Sequence, residues 1–264
     1  MNEAELLFSR VLNCDRVSLY LNKKDKLGAQ SGALVSSVLR KRISGYPLQY
    51  ILGKADFFGR EFLVNESVLI PRPETEILVE TALKIGLRLK AKGLRPDILE
   101  LGTGSGCIAI SLAKELPGVN IIATDISEKA LGAARKNARL HNVKINFVQG
   151  DLFNTYPLSF TLYHLIISNP PYIPSGEINK LQPEIAYEPR QALDGGKDGL
   201  DYYRRIAGQC SEYLKEEGVL VFEIGFGQYE EIEKILQKGA KLQIIDVIRD
   251  YADIRRVIVA QKVK

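Results

Sequence analysis

DILELGTGSG, residues 97–106, reads as the first βα turn of a parallel sheet. A short apolar run of strand length meets three glycines, at 102, 104 and 106, and CIAISLAKE then continues at helical spacing. Glycine has no Cβ, so it lets the chain turn tightly and brings the backbone close to a ligand. A strand, a glycine turn and a helix in that order open a βα unit of a parallel sheet. The spacing is G-x-G-x-G, whereas the dinucleotide fingerprint is G-x-G-x-x-G.

Downstream, the rhythm persists. NIIATD (120–125), a helix over 127–140, INFVQGD (145–151) and YHLIIS (163–168) follow, and then a helix near 199–216 and VLVFEI (219–224). A helix near 228–237 leads to KLQIIDV (241–247) and IRRVIVA (254–260). Strands alternating with crossover helices predict a parallel sheet covered on both faces. RDYAD, between the last two strands, is too short for a crossover, so that pair is expected to be antiparallel. A seven-stranded, mostly parallel α/β sheet with one reversed strand is the Rossmann-like layout of class I methyltransferases.

Upstream, Leu6, Leu7, Val11 and Leu12, and then Leu34, Val35, Val38, Leu39 and Ile43, recur at helix spacing, which predicts a small helical N-terminal domain over 1–55. FFGREFLVNESVLIP shifts to β-rich composition, with Gly59 and Asn65 as turn residues, and predicts a hairpin linker over 56–72. Pro73, Glu74 and Glu76 open a helix with Leu78, Ala82, Ile85 and Leu89 on one face, ending near Gly93, and the main domain runs over 73–264.

Asp125 ends the strand after the glycine turn, where a carboxylate can accept from both hydroxyls of a ribose. Asp151 ends the next strand and could accept from an adenine amino group. With the glycine spacing, these acids fit S-adenosyl-L-methionine, which has no phosphate and presents a zwitterionic tail. A plain turn with helix-capping acids is the alternative, and a nicotinamide dehydrogenase is disfavoured by the spacing.

SNPPYIP, residues 168–174, follows the fourth strand of the sheet. Asn169 precedes a proline and is pushed to extended geometry, while Pro170 and Pro171 have fixed φ and no N–H. The loop is stiff and offers acceptors. A planar amide or exocyclic amine nitrogen is a poor nucleophile because its lone pair is delocalised. If the Asn169 side-chain oxygen and the Pro170 carbonyl each accept one of its N–H groups, electron density rises on that nitrogen, while Tyr172 can stack on the flat group. No general base is needed before transfer. A rigid loop without chemistry is the bland alternative.

Bulk properties narrow the function. The 264 residues are 45% hydrophobic and 26% charged, an ordinary globular balance. A net charge of +4, with eleven basic and ten acidic residues in the first 80, shows no concentrated basic stripe for duplex binding. No apolar run of membrane-spanning length occurs, and MNEAELLFSR lacks the pattern of a secretory signal, so a cytoplasmic protein is expected. Cys14, Cys107 and Cys210 are odd in number and far apart, and His141 and His164 are the only histidines, so neither a disulfide framework nor a metal site is expected.

PLQYILG (47–53), FFG (57–59), LIPRPETE (69–76), ELGTGSG (100–106), NPPYIP (169–174), EPRQALDGGKDGLDYYRRI (188–206) and EIGFGQ (223–228) together closely resemble the HemK-type family of peptide chain release factor glutamine methyltransferases. The resemblance runs nearly end to end. It implies methyl transfer from S-adenosyl-L-methionine to the side-chain N5 of the glutamine in the Gly-Gly-Gln motif of release factors. It implies that Gly102, Thr103, Gly104, Ser105, Gly106, Asp125, Asp151, Leu152 and Asn169 line the cofactor, and that Asn169, Pro170, Pro171 and Tyr172 hold the glutamine. The helical domain would help to dock the release factor, with Arg72 to Glu76 near the cofactor. Glu100 stands where many relatives have Asp, and Leu152 where the residue can be aromatic. NPPY is shared with enzymes that methylate adenine or guanine amines in DNA or RNA, so that activity is the main alternative, and a non-catalytic binding module is the second. Gly195, Gly196 and Gly199 predict a mobile or sharply turned loop bordering the substrate mouth, with a plain surface turn as the alternative.

Overall fold

In the computed structural model, which describes residues 2–155, 161–239 and 241–263, the chain begins with helices α1 (Glu3–Leu12), α2 (Arg16–Leu21) and α3 (Ala29–Ile43). Asn2 and Glu5 close a capping box at the start of α1, which satisfies donors the first turn would otherwise leave bare. Of the nine apolar positions expected on the helical faces, Leu7 and Val35 are buried, but Leu34 is 50% and Ile43 84% exposed. So few short helices cover only one narrow stripe.

After α4 (Leu48–Leu52) come β1 (Lys54–Phe57) and β2 (Arg60–Leu63), a two-residue hairpin with positive φ at both Phe58 and Gly59. Positive φ at both central residues matches the right-handed twist of the strands. The hairpin is shorter than expected and starts earlier, at Lys54. Val64, Val68 and Ile70 mimic a strand pattern but instead pack with Tyr50, Ala130 and Ala133 in a separate apolar cluster. Asn65 turns the chain there by accepting from the Ser67 amide at 2.9 Å.

Helix α5 (Thr75–Ala91) leads into β3 (Asp97–Leu101), α6 (Cys107–Glu115), β4 (Asn120–Asp125), α7 (Glu128–Leu140), β5 (Asn146–Gln149) and β6 (Tyr163–Ser168). Then follow α8 (Asp201–Tyr213), β7 (Leu214–Glu223), α9 (Tyr229–Gly239), β8 (Leu242–Arg249) and β9 (Arg255–Lys262). The sheet order is β5-β4-β3-β6-β7-β9-β8. The first five of these strands are mutually parallel, and β9 runs antiparallel to both neighbours. The reversed strand is last in the chain but lies inside the sheet, because β9 inserts between β7 and β8. β7 also reaches back to Leu214 across an irregularity where Glu217 has φ +59.

Alternation along the strands divides the core into two layers. On β6 and β7, Leu165, Ile167, Val219 and Val221 face the layer under α5 and α6, while Ile166, Leu220 and Phe222 face the layer under α8 and α9. A period of two with both faces covered makes these strands apolar throughout. Cys107 and Cys210 are buried in opposite layers, and Cys14 is only half-buried. Among the described residues, no helix is long and apolar enough to cross a membrane.

Candidate active site

The carboxyl ends of β3, β4, β5 and β6 deliver Gly102, Asp125, Gly150 and Asn169 to one cleft. This is the edge at which open α/β sheets bind ligands. The glycine turn is laid across the end of β4, with the amides of Gly102 and Thr103 both donating to the Thr124 carbonyl at 2.9 Å. Gly102 and Gly104 have φ of +75° and +55°, and a Cβ at either would meet no protein atom within 4 Å. Space is therefore left in front of the turn. Gly106 has another reason to be glycine: a Cβ there would lie 3.1 Å from Ala134 Cβ, where α6 and α7 approach closely.

Asp125 closes the turn from the next strand. Its carboxylate accepts from the Gly104 amide at 2.8 Å and from the Ser127 amide at 2.9 Å. A carboxylate has about four acceptor positions, so capacity remains for a ligand's hydroxyls. Burial raises its pKa, and the two amides oppose that shift. Asp151 lies two residues beyond β5 and pairs with Arg205 of α8 at 2.6 Å. Leu152, beside it in the cleft, has φ +54, a strained backbone for a leucine. Tyr202 of α8 completes this wall, with the Arg205 guanidinium 5.6 Å from its ring centroid.

Glu100 is fully buried in β3, which breaks the apolar run. It accepts from the Thr103 hydroxyl at 2.6 Å, but its Oε1 has no hydrogen-bond partner among the described residues. Burial pushes its pKa up to about 8. A cation bound over the turn would supply what this carboxyl lacks. The open space at Gly102 and Gly104, the spare acceptors of Asp125 and the orphaned Glu100 oxygen suit a sulfonium cofactor with an ammonium group and ribose hydroxyls, so the residues fit S-adenosyl-L-methionine.

Asn169 and Pro171 form the opposite lip of the cleft. Asn169 Nδ2 donates to Thr75 Oγ1 at 3.0 Å, and the Thr75 hydroxyl donates to Glu223 Oε2 at 2.7 Å. Thr75 is 3% and Glu223 2% exposed. Pro170 is buried, and Tyr172 packs against the core under α8 and α9, outside the cleft lining. Thr103, Ser105 and Gly106 are likewise behind the cleft wall. Of the residues singled out in the sequence, the cleft thus gathers Gly102, Gly104, Asp125, Asp151, Leu152, Asn169 and Pro171.

The lip is braced from behind. Ile173 and Asp194 form a parallel bridge, in which the Ile173 amide donates to the Leu193 carbonyl at 2.9 Å and the Gly195 amide to the Ile173 carbonyl at 2.8 Å. Gly195 and Gly199 are small because a Cβ at either would lie within 3 Å of the Tyr172 backbone. Gln228 Nε2 donates to the Tyr172 carbonyl at 2.9 Å and the Gly199 carbonyl at 3.3 Å. Arg72 pairs with Glu188, whose side chain is 1% exposed, and ties the linker to the 188–200 segment. The N-terminal helices reach the turn just before it, Pro183–Tyr187, through Arg42 to Glu184 at 3.1 Å and the Tyr187 hydroxyl donating to the Ser44 carbonyl at 3.1 Å. Glu223 and Gln228 carried no individual role in the sequence reading, and Thr75 only its place in the stretch Arg72 to Glu76 near the cofactor. The polar residues of PETE, EIG and GFGQ, set against apolar strands, were the available signal.

Two family models match this chain, the PrmC N-terminal domain over residues 1–53 and the methyltransferase small domain over 75–196. The release factor glutamine methyltransferase of Thermodesulfovibrio yellowstonii is 41% identical over 267 residues, covering 100% of this chain and 93% of its own. That of Geobacter sulfurreducens is 44% identical, covering 87% of this chain and 78% of its own. Among solved structures, a methyltransferase from Pyrococcus furiosus superposes with a TM-score of 0.57 at 18% identity over 88% of this chain and 98% of its own, a likeness of fold.

Proposed function

Since the chain belongs to the family of release factor glutamine methyltransferases, which use S-adenosyl-L-methionine, we propose that it methylates the side-chain N5 of the glutamine in the Gly-Gly-Gln motif of peptide chain release factors. The observation that carries this reading is the Asn169–Pro171 lip facing the glycine turn and Asp125 across one cleft.

Gly102 and Gly104 let the backbone approach the cofactor, Asp125 takes the ribose hydroxyls, and Asp151 with Leu152 borders the adenine. When bound, S-adenosyl-L-methionine would supply an electrophilic sulfonium methyl and leave as a neutral thioether once that carbon is bonded to the glutamine nitrogen. Asn169 Oδ1 and the Pro170 carbonyl accept the two N–H groups of the glutamine amide, which raises electron density on its nitrogen. Tyr172, packed against the core under α8 and α9, stiffens the lip from behind. The methylated nitrogen carries the positive charge until it releases its proton to solvent, so no buried base is required. Holding both reactants in line accounts for roughly 7 to 11 kcal/mol of barrier lowering in well-oriented systems.

The domains follow this division of labour. Residues 1–55 dock the release factor, 56–72 link, and 73–264 bind the cofactor and catalyse. The partner is a protein of translation termination, so the enzyme works in the cytoplasm, without nucleic acid or membrane as direct partner. Mass spectrometry of a release factor incubated with enzyme and S-adenosyl-L-methionine tests this: one added methyl on the Gly-Gly-Gln glutamine is expected. Methyl incorporation into duplex DNA or RNA instead, weakening steeply with salt, would overturn it.

A further inference from the structure

We infer that Thr75 and Glu223 are positioning residues that fix which end of the Asn169 carboxamide faces the substrate. The inference deepens the functional reading above and rests on it for its kinetic consequence.

An asparagine amide is nearly symmetric in shape, yet its two ends have opposite hydrogen-bonding character. With Oδ1 towards the cleft it accepts an N–H of the substrate. Flipped, it sets one NH₂ group against another. The choice is made behind the lip. Ser168, the last residue of β6, pairs in register with Phe222 of β7, so Asn169, just past the end of β6, and Glu223, the last residue of β7, lie side by side. Thr75, the first residue of α5, stands between them, held by its amide to the Arg72 carbonyl at 3.0 Å.

A threonine hydroxyl has a single proton. In the structure Thr75 gives it to Glu223 at 2.7 Å, so only lone pairs are left to face Asn169. Nδ2 therefore occupies the inner position, 3.0 Å from Thr75 Oγ1, and Oδ1 is the end free to accept. The direction of the chain depends on the carboxylate being an acceptor. A protonated Glu223 could donate to Thr75, which could then donate to Oδ1 of a flipped Asn169.

The surroundings of Glu223 make that switch accessible. Burial raises its pKa to about 7, with the Thr75 hydroxyl, Arg256 and Asn169 opposing the rise and Glu74 adding to it. Tyr172 and Tyr203 are the other ionisable groups near it, and Asp250 holds Arg256 at 2.8 Å. Glu223 is thus ionised and the relay correctly directed above about pH 7, and both change as pH falls through that value.

Two measurements on the full chain test this. In the first, ¹⁵N-asparagine-labelled protein with S-adenosylhomocysteine shows the Asn169 side-chain NH₂ resonances shifting with an inflection near pH 7, absent in Glu223→Gln. A wild-type resonance without that inflection overturns the relay, whatever the substrate. In the second, kcat for release-factor methylation falls about tenfold or more in Thr75→Val and Glu223→Gln, while S-adenosylhomocysteine affinity, which reports folding, stays unchanged. Thr75→Ser recovers most of the Thr75→Val loss, and the acid limb of the wild-type kcat profile is missing in Glu223→Gln. Losses below about threefold in both variants, or an acid limb that persists in Glu223→Gln, overturn the positioning role. If wild-type enzyme leaves release factor unmethylated while the resonances behave as stated, the functional reading fails and the relay stands.

Discussion

Replacing Gly199 by alanine isolates the contribution of the bracing loop to catalysis. Gly199 has φ +77, and an added Cβ would lie 2.4 Å from the Tyr172 carbonyl oxygen and 2.8 Å from Gln228 Nε2. Ordinary contact requires roughly 1 Å more. Neither obstacle is the free end of a flexible side chain: one is the backbone of the lip, and the other is the amide that clamps it. The displacement therefore passes to residues 169–172. A misplacement of about 1 Å at a reacting centre costs on the order of a hundredfold, and sharing it with the loop leaves an expected kcat loss of about ten- to a hundredfold. Gly118 provides the control. It also has positive φ, +82, but a Cβ there meets nothing within 4 Å. Gly118→Ala should lose about 1 kcal/mol of stability from backbone strain, seen as a few degrees in Tm, and keep its kcat. The assay is methyl transfer to release factor at saturating substrates, with S-adenosylhomocysteine affinity and Tm measured in parallel. A Gly199→Ala enzyme whose kcat is within twofold of Gly118→Ala would refute the claim that this loop holds the lip.

Arg72→Met should destabilise the fold by about 3 kcal/mol, because it strands the buried Glu188 carboxylate, and the double variant Arg72→Met/Glu188→Leu should recover much of this in urea unfolding. Burial holds the Glu188 pKa above its ordinary value even beside Arg72. Without the guanidinium it rises further, and the folded state then binds the proton more tightly than the unfolded chain, so the deficit is full near neutral pH and shrinks on acidification. Asp125→Ala should weaken S-adenosylhomocysteine binding by at least about tenfold in calorimetry, through lost charge-assisted hydrogen bonds and a slackened Gly104 amide. Affinity unchanged by that substitution would remove Asp125 from the cofactor site.

The sheet was legible because its strands carry long apolar runs broken by glycine turns and helical periods, signals that depend on local sequence. Asp125 could be placed for the same reason, since a strand end is a local feature. Three things were not local. The insertion of β9 between β7 and β8 depends on which edges remain free once the parallel strands have paired. The segment 64–70 alternates like a strand, but its apolar residues are claimed by Tyr50 and α7, so no partner strand forms. Thr75 and Glu223 lie 148 positions apart, and only the packing of α5 against the end of β7 brings them together. Gly106 shows the opposite limit: its spacing reads as ligand contact, whereas its neighbours are Ile110 and Ala134.

The bracing of the lip follows from its prolines. Pro170 and Pro171 give up two backbone donors, so the segment cannot be anchored by the ladder that holds an ordinary strand end. Stiffness within the loop then has to be matched by attachment from outside, through groups that leave the inward acceptors free. The structure uses the outward side only: Gln228 donates to the Tyr172 carbonyl, the Ile173 amide donates to Leu193, and Thr75 takes the Asn169 NH₂. The Asn169 oxygen is engaged by none of these contacts. An arrangement that consumed it would serve equally well for stability and would be useless for drawing protons away from a substrate nitrogen. The division between spent donors and spared acceptors is what distinguishes this lip from a rigid turn.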